Sequence, residues 1–176
     1  MSQLQGAIAA ARFGMGARPG EIAAASSDPR GWLKAQIGPN AALIPGDGLL
    51  SVKQVFAARR DAYSGMAPED RPGSPQRQTA ADTPRSEAQQ MIQQQVQREA
   101  RDGLGREIEA RTRHAASTPN SFSGRSLRFW SNHFTVAARN AQTIGLAGPF
   151  EREAIRPHVF GNFQALLGAA SFHPGM

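Results

Sequence analysis

Histidine and the carboxylates are the strong metal ligands open to this 176-residue chain, which holds 4 histidines, 14 acidic residues and no cysteine. Disulfides, thiolate metal sites and thiol nucleophiles are thereby excluded. One stretch, residues 127–158, combines histidine, carboxylate and aromatic bulk. It reads Leu-Arg-Phe-Trp-Ser-Asn-His-Phe-Thr-Val over 127–136 and Gly-Pro-Phe-Glu-Arg-Glu-Ala-Ile-Arg-Pro-His over 148–158. If helices over 127–138 and 150–170 pack antiparallel, His133 meets one of Glu151, Glu153 or His158. Such a nitrogen and oxygen set suits zinc or iron, or a general acid and base. The candidates for catalysis are then His133, Glu151, Glu153, Arg156 and His158, with His133 and His158 as metal ligands. No His-x-x-x-His or His-Glu-x-x-His spacing reinforces them, and no residue names a cofactor. Ser126 and Ser131 lie near His133 without a Gly-x-Ser-x-Gly elbow, so serine hydrolase chemistry has no support. A structural reading stands beside the chemical one. In it Trp130, Phe134 and Phe150 are core, Asn132 and His133 satisfy backbone groups, and Arg152 and Arg156 pair with Glu151, Glu153 or other carboxylates.

The elements that must position these residues are helical. Hydrophobic residues make up 40% of the chain and charged residues 19%, and Ala, Arg and Gln outnumber β-branched residues, a balance that favours helix over sheet. The fold expected is all-α, an irregular multi-helix domain over residues 1–176. The net charge of +6 is carried almost wholly by arginine. Those arginines interleave with acids, as in Arg98-Glu99-Ala100-Arg101-Asp102 and Arg106-Glu107-Ile108-Glu109, which describes solvated helix faces rather than a nucleic-acid surface. No apolar run approaches the ~20 residues of a membrane helix. The amino terminus lacks the basic start and apolar core of a secretory signal, so the sequence alone reads as cytoplasmic.

Leu4, Ala7, Ile8 and Ala11 recur at helical spacing until Gly14 and Gly16. The Gly-rich segment 14–21 resembles a phosphate-cradling loop only superficially, with no preceding strand and no Walker lysine, and reads as a helix-to-helix connection. Asp28-Pro29 predicts an N-cap and first helical residue for a helix carrying Trp32, Leu33 and Ile37 up to Gly38-Pro39, with Trp32 as a core anchor. Residues 64–86 turn to Pro, Gly, Ser, Gln and Arg, too poor in apolar surface to offset their ordering entropy, and read as a flexible insertion. From Glu87 a long helix follows, with Ile92, Val96, Ala100, Leu104 and Ile108 at four-residue steps, weakened at Gly103 and Gly105 and ended by Thr118-Pro119. The next helix opens near 124–126 and is apolar on two faces, Leu127, Trp130 and Phe134 on one and Phe129, His133 and Val136 on the other, which predicts a central position. Pro149 opens another helix with Glu151 and Glu153 in its first turn, and Pro157 breaks it. Phe160, Phe163, Leu166 and Leu167 mark the last.

Four segments carry a family resemblance: Ala-Arg-Phe-Gly-Met-Gly-Ala-Arg-Pro-Gly-Glu (11–21), Asp-Pro-Arg-Gly-Trp-Leu (28–33), Phe-Trp-Ser-Asn-His-Phe-Thr-Val (129–136) and Phe-Glu-Arg-Glu-Ala-Ile-Arg-Pro-His (150–158). Together they resemble the bacterial family catalogued as domain of unknown function 1800. The resemblance implies a mostly helical fold and no established activity. It also implies a longer parent in which a Met-Leu and a Tyr-Leu-Asp run follow the His173-Pro174 pair, so that this chain corresponds to an N-terminal part of an incomplete helical fold. Export signals are frequent in the family, which sets a periplasmic or exported location beside the cytoplasmic reading.

Two functions of different class remain open. In one, the chain is a structural or interaction module whose partner is the C-terminal part of the family domain or another protein, and its 150–170 helix exposes an apolar face. In the other, it is part of an enzyme with a His/Glu metal or acid–base site.

Overall fold

Small residues let the amino-terminal helices approach closely. The structure, a computed structural model, describes residues 3–45, 48–72, 74, 87–139 and 141–176. Helix α1 (Gln3–Phe13) buries Gly6, Ala9 and Ala10 and leaves Leu4 and Ile8 outside. The packed face is therefore not the larger apolar stripe that periodicity picks out. The reason is Gly6, where an added Cβ would lie 2.6 Å from the Ile22 carbonyl oxygen of α2 (Glu21–Ser27). The 14–20 connection turns through Gly16 and Gly20 at φ of 107° and 81°, a region that favours glycine. Its Arg18 N–H is taken by the Glu21 carboxylate at 2.9 Å, so these glycines serve a turn between helices.

Asp28 caps α3 (Pro29–Lys34) as its sequence predicts, accepting the Gly31 N–H at 2.9 Å. The helix ends earlier than expected, at Lys34, and Trp32 is half-buried. Helix α4 (Val52–Ala62) opens with a capping box between Ser51 and Gln54. The segment 64–86, read from sequence as a flexible insertion, falls mostly outside the described residues; its described beginning holds a 3-10 turn at Pro68–Asp70.

Helix α5 (Glu87–Ser117) runs 31 residues without interruption through Gly103 and Gly105 and stops before Thr118-Pro119. Of its apolar stripe Val96 alone is buried, and Ile108 is exposed. Helix α6 (Ser121–His133) starts a few residues before the expected position and buries Ser121, Ser123 and Leu127. Short helices α7 (Ala141–Ile144) and α8 (Ala147–Phe150) lead into a π turn (Glu151–Ile155), a 3-10 turn (Arg156–His158) and α9 (Phe163–Ser171), whose cap is Asn162.

The core gathers Leu127 and Phe134 around α6, Phe150, Ala154, Ile155 and Val159 from the turn region, and Leu166 and Ala170 of α9. Helix α5 packs along this core through α4, α7 and α8, while α1 joins α2 and α3 to α6. Polar contacts complete that junction: Ser121 donates to buried Glu21 at 2.7 Å, Phe122 N–H to Gln36 at 2.9 Å, and Arg125 to the Gly14 carbonyl at 3.0 Å. The described residues form helices, turns and loops without a strand, so the fold is all-α. Among them no helix is long and apolar enough to cross a membrane.

Candidate functional site

Residues five apart on an α-helix point about 140° away from each other. The π turn changes that, because its wider backbone lets the Arg156 N–H reach the Glu151 carbonyl and sets both side chains on one face. Arg156 Nε and Nη2 then both donate to Glu151 Oε1, at 3.0 and 2.7 Å, and Nη1 donates to the Ala42 carbonyl at 2.7 Å. The guanidinium is 2% exposed. The second carboxylate oxygen, Oε2, meets Arg111 Nη1 of α5 at 3.2 Å and accepts from the Ser131 hydroxyl of α6 at 3.4 Å. One carboxylate thus joins α5, α6, the π turn and, through Arg156, the loop at Ala42.

The two neighbours extend this clamp. Arg152 grips Glu107 of α5 through Nε, 3.1 Å from each carboxylate oxygen, and through Nη2 at 2.7 Å from Oε1, and it also donates to the Leu50 carbonyl at 2.6 Å. Glu153 Oε1 accepts the Val52 N–H at 2.9 Å, satisfying a free donor at the start of α4. Its Oε2 lies 3.6 Å from Nε2 of His173, whose Nδ1 accepts the Gly175 N–H at 3.0 Å. The run Glu151-Arg152-Glu153-Ala154-Ile155-Arg156 therefore alternates charged clamps with the buried Ala154 and Ile155.

Burial lowers the Arg156 pKa below the usual arginine value, and the charge and hydrogen bonds of Glu151 oppose that shift. Removing one member of such a pair strands the other charge in a low-dielectric interior. His114 of α5 is also lowered, first by burial and then by repulsion from Arg156, so its neutral form is favoured.

The sequence candidates separate into two groups. Glu151 and Arg156 bond each other, and Glu153, on the same turn, faces Val52 and His173 instead. His133 lies elsewhere, exposed at the end of α6 with its ring edge-on to Trp130 and Phe134 at 6.0 and 4.8 Å. The α6 residue that reaches Glu151 is Ser131. His158 is half-buried, and its carbonyl accepts the Gly161 N–H at 3.0 Å. No group of three or more His, Asp or Glu residues that could hold a metal ion occurs among the described residues. Phe129 is 63% exposed, which corrects the expectation that α6 is apolar and buried on two sides. The clamp also recruits residues that the sequence did not single out, Glu107 and Arg111. Their four-residue spacing puts them on one face of α5, but interleaved charge on a long helix also describes a solvated surface.

An all-helical protein whose helices are tied by a π-turn charge clamp is the class that this fold and site define. The family model described as a protein of unknown function (DUF1800) matches residues 8–176, and the chain belongs to that family. No curated protein and no solved structure matches it.

Proposed function

We propose that this chain works by packing against further polypeptide rather than by catalysis, with the Glu151–Arg156 clamp holding the shape of the surface it offers. The observation that carries this reading is an aromatic face on α6 and α9. Phe129 and Phe163 are 63% and 52% exposed, and Trp130 lies between them, 4.9 and 5.7 Å from their ring centres. Leu167, one turn beyond Phe163, is 42% exposed. Contiguous apolar area of this kind marks a contact surface, and aromatic side chains supply the anchors of such contacts. The occupant we assign is the C-terminal part of a longer family polypeptide, with a separate protein as the other outcome.

The acid–base alternative has less to work with. Glu151 and Arg156 bond each other, one oxygen of Glu153 holds a helix start, and His133 is apart from all three.

Because the chain has no cysteine, Phe129→Cys and Phe163→Cys report on coverage directly. Their thiols should react with an alkylating reagent at nearly the rate of a free thiol in the 176-residue chain. In the same chain extended by the C-terminal part of a longer family member, they should react at least about tenfold more slowly. Protection only on adding a separate protein would identify that partner instead, and equal rates throughout would contradict the reading.

A further inference from the structure

The clamp leaves positive charge uncompensated on one side. Between α5, α6 and the 3-10 turn lies a pocket of about 20 Å³ whose polar lining is Arg111, His114, Thr118, Ser123, Arg128 and Arg156. We propose that this pocket is a binding site for a small oxyanion of the phosphate class, held by the guanidinium groups of Arg111, Arg128 and Arg156.

The argument begins with charge. Three arginines line the pocket; the carboxylate bonded to this cluster is Glu151, whose Oε1 is taken by Arg156 and Oε2 by Arg111, while Glu107, whose charge also acts on Arg156, is bound to Arg152. Arg128 has no acidic partner among the described residues, and its head is exposed at the pocket. Two positive charges therefore exceed what Glu151 neutralises, in a site where one guanidinium is almost fully buried. A dianion balances that excess.

The remaining groups agree. Burial is the first cause that lowers both Arg156 and His114; Arg111 adds to it at Arg156, where Glu151 and Glu107 oppose it, and Arg156 adds to it at His114. Thr118 Oγ1 already accepts the Asn120 N–H at 3.2 Å, which leaves its hydroxyl proton free to donate. The enclosed volume of about 20 Å³ admits one or two oxygens, given the roughly 10–15 Å³ that a single water centre needs. The rest of the anion then sits at the mouth beside Arg128. Arginine forks match tetrahedral oxyanions in geometry as well as charge.

The test uses the whole chain, with inorganic phosphate as the probe and chloride at matched ionic strength as the control. Calorimetry should show saturable binding of phosphate and none of chloride. Imidazole resonances should show the His114 pKa rising as phosphate saturates, because the bound anion reverses the repulsion from Arg156. Arg128→Ala, a change at an exposed residue outside the core, should weaken phosphate binding roughly tenfold or more, the scale of a lost charge-assisted hydrogen bond. Arg128→Lys should restore part of it. A phosphate monoester binding more tightly than phosphate would place the source in a phosphorylated metabolite, and equal or weaker binding would place it in the free ion. Acetate binding as well as phosphate would overturn the phosphate assignment. Absence of saturation, or an unchanged affinity in Arg128→Ala, would overturn the site itself.

Discussion

Glu151 divides its carboxylate between Arg156 on one oxygen and Arg111 with Ser131 on the other, which leaves it little capacity to act on anything else. His114 shows the other side of this balance. Its folded pKa is below the ordinary 6.5, through burial first and Arg156 second. A histidine depressed in the folded state is protonated first in the unfolded chain, so the unfolded state binds more protons and stability falls as the pH is lowered. The loss begins as pH drops through about 6.5 and is complete below the folded pKa. Urea midpoints recorded between about pH 7.5 and 5 in phosphate-free buffer should therefore decline, and His114→Gln should flatten that decline. An unchanged slope in the variant would remove His114 from the account. At this scale the sequence was only partly legible. The pairing of Arg156 with Glu151 was among its structural readings, but the geometry depends on a π turn for which residue spacing gives no rule. His133 was singled out by closeness in sequence and residue type, which say nothing about which face of α6 meets the turn; the α6 residue that reaches Glu151 is Ser131.

At the scale of elements, local signals with a stereochemical mechanism were the readable ones. Asp28-Pro29 starts α3, Thr118-Pro119 follows the end of α5, and the glycines of 14–20 turn the chain between helices. Periodicity did less well where packing overrode it. In α1 the sequence stripe of Leu4 and Ile8 is exposed, and the packed face is the one with Gly6. The α1–α2 contact then depends on the absence of a side chain, since a Cβ at Gly6 would meet the Ser26 hydroxyl and the Ile22 carbonyl. Helix propensity favours Ala over Gly by roughly 1 kcal/mol, but overpacking a close contact costs about 1–3 kcal/mol. Gly6→Ala should accordingly destabilise the chain by about 1–2 kcal/mol in denaturant unfolding. Stabilisation would show that α1 and α2 are not in this close contact. In α5 the interleaved charge of Arg106-Glu107-Ile108-Glu109 looked solvated, and tertiary partners on the π turn gave Glu107, and Arg111 one turn on, their roles.

For the whole molecule, helical composition and the absence of long apolar runs decided the fold class, and the family followed from motifs at both ends of the chain. What composition could not supply was the relation between the motifs. The structure makes the 150–158 motif the tie between α4, α5, α6 and the carbonyls of Ala42 and Leu50, and leaves Phe129 exposed beside half-buried Trp130 on α6. A clamp that exists for shape and a site that exists for chemistry differ in the sign of their effect on stability. Groups held for catalysis are commonly kept at the expense of stability, so their removal is neutral or stabilising. Removing one partner of a buried structural pair is strongly destabilising, and replacing both with apolar residues restores much of the loss.

Equilibrium unfolding of Glu151→Gln, Arg156→Met and the double variant, followed by far-UV and near-UV circular dichroism together, tests the clamp most directly. Each single change should lower stability by about 3–5 kcal/mol, with the double variant recovering a large part of the sum. Single variants as stable as the parent chain, or more stable, would contradict the clamp and return Glu151 and Arg156 to the candidates for chemistry.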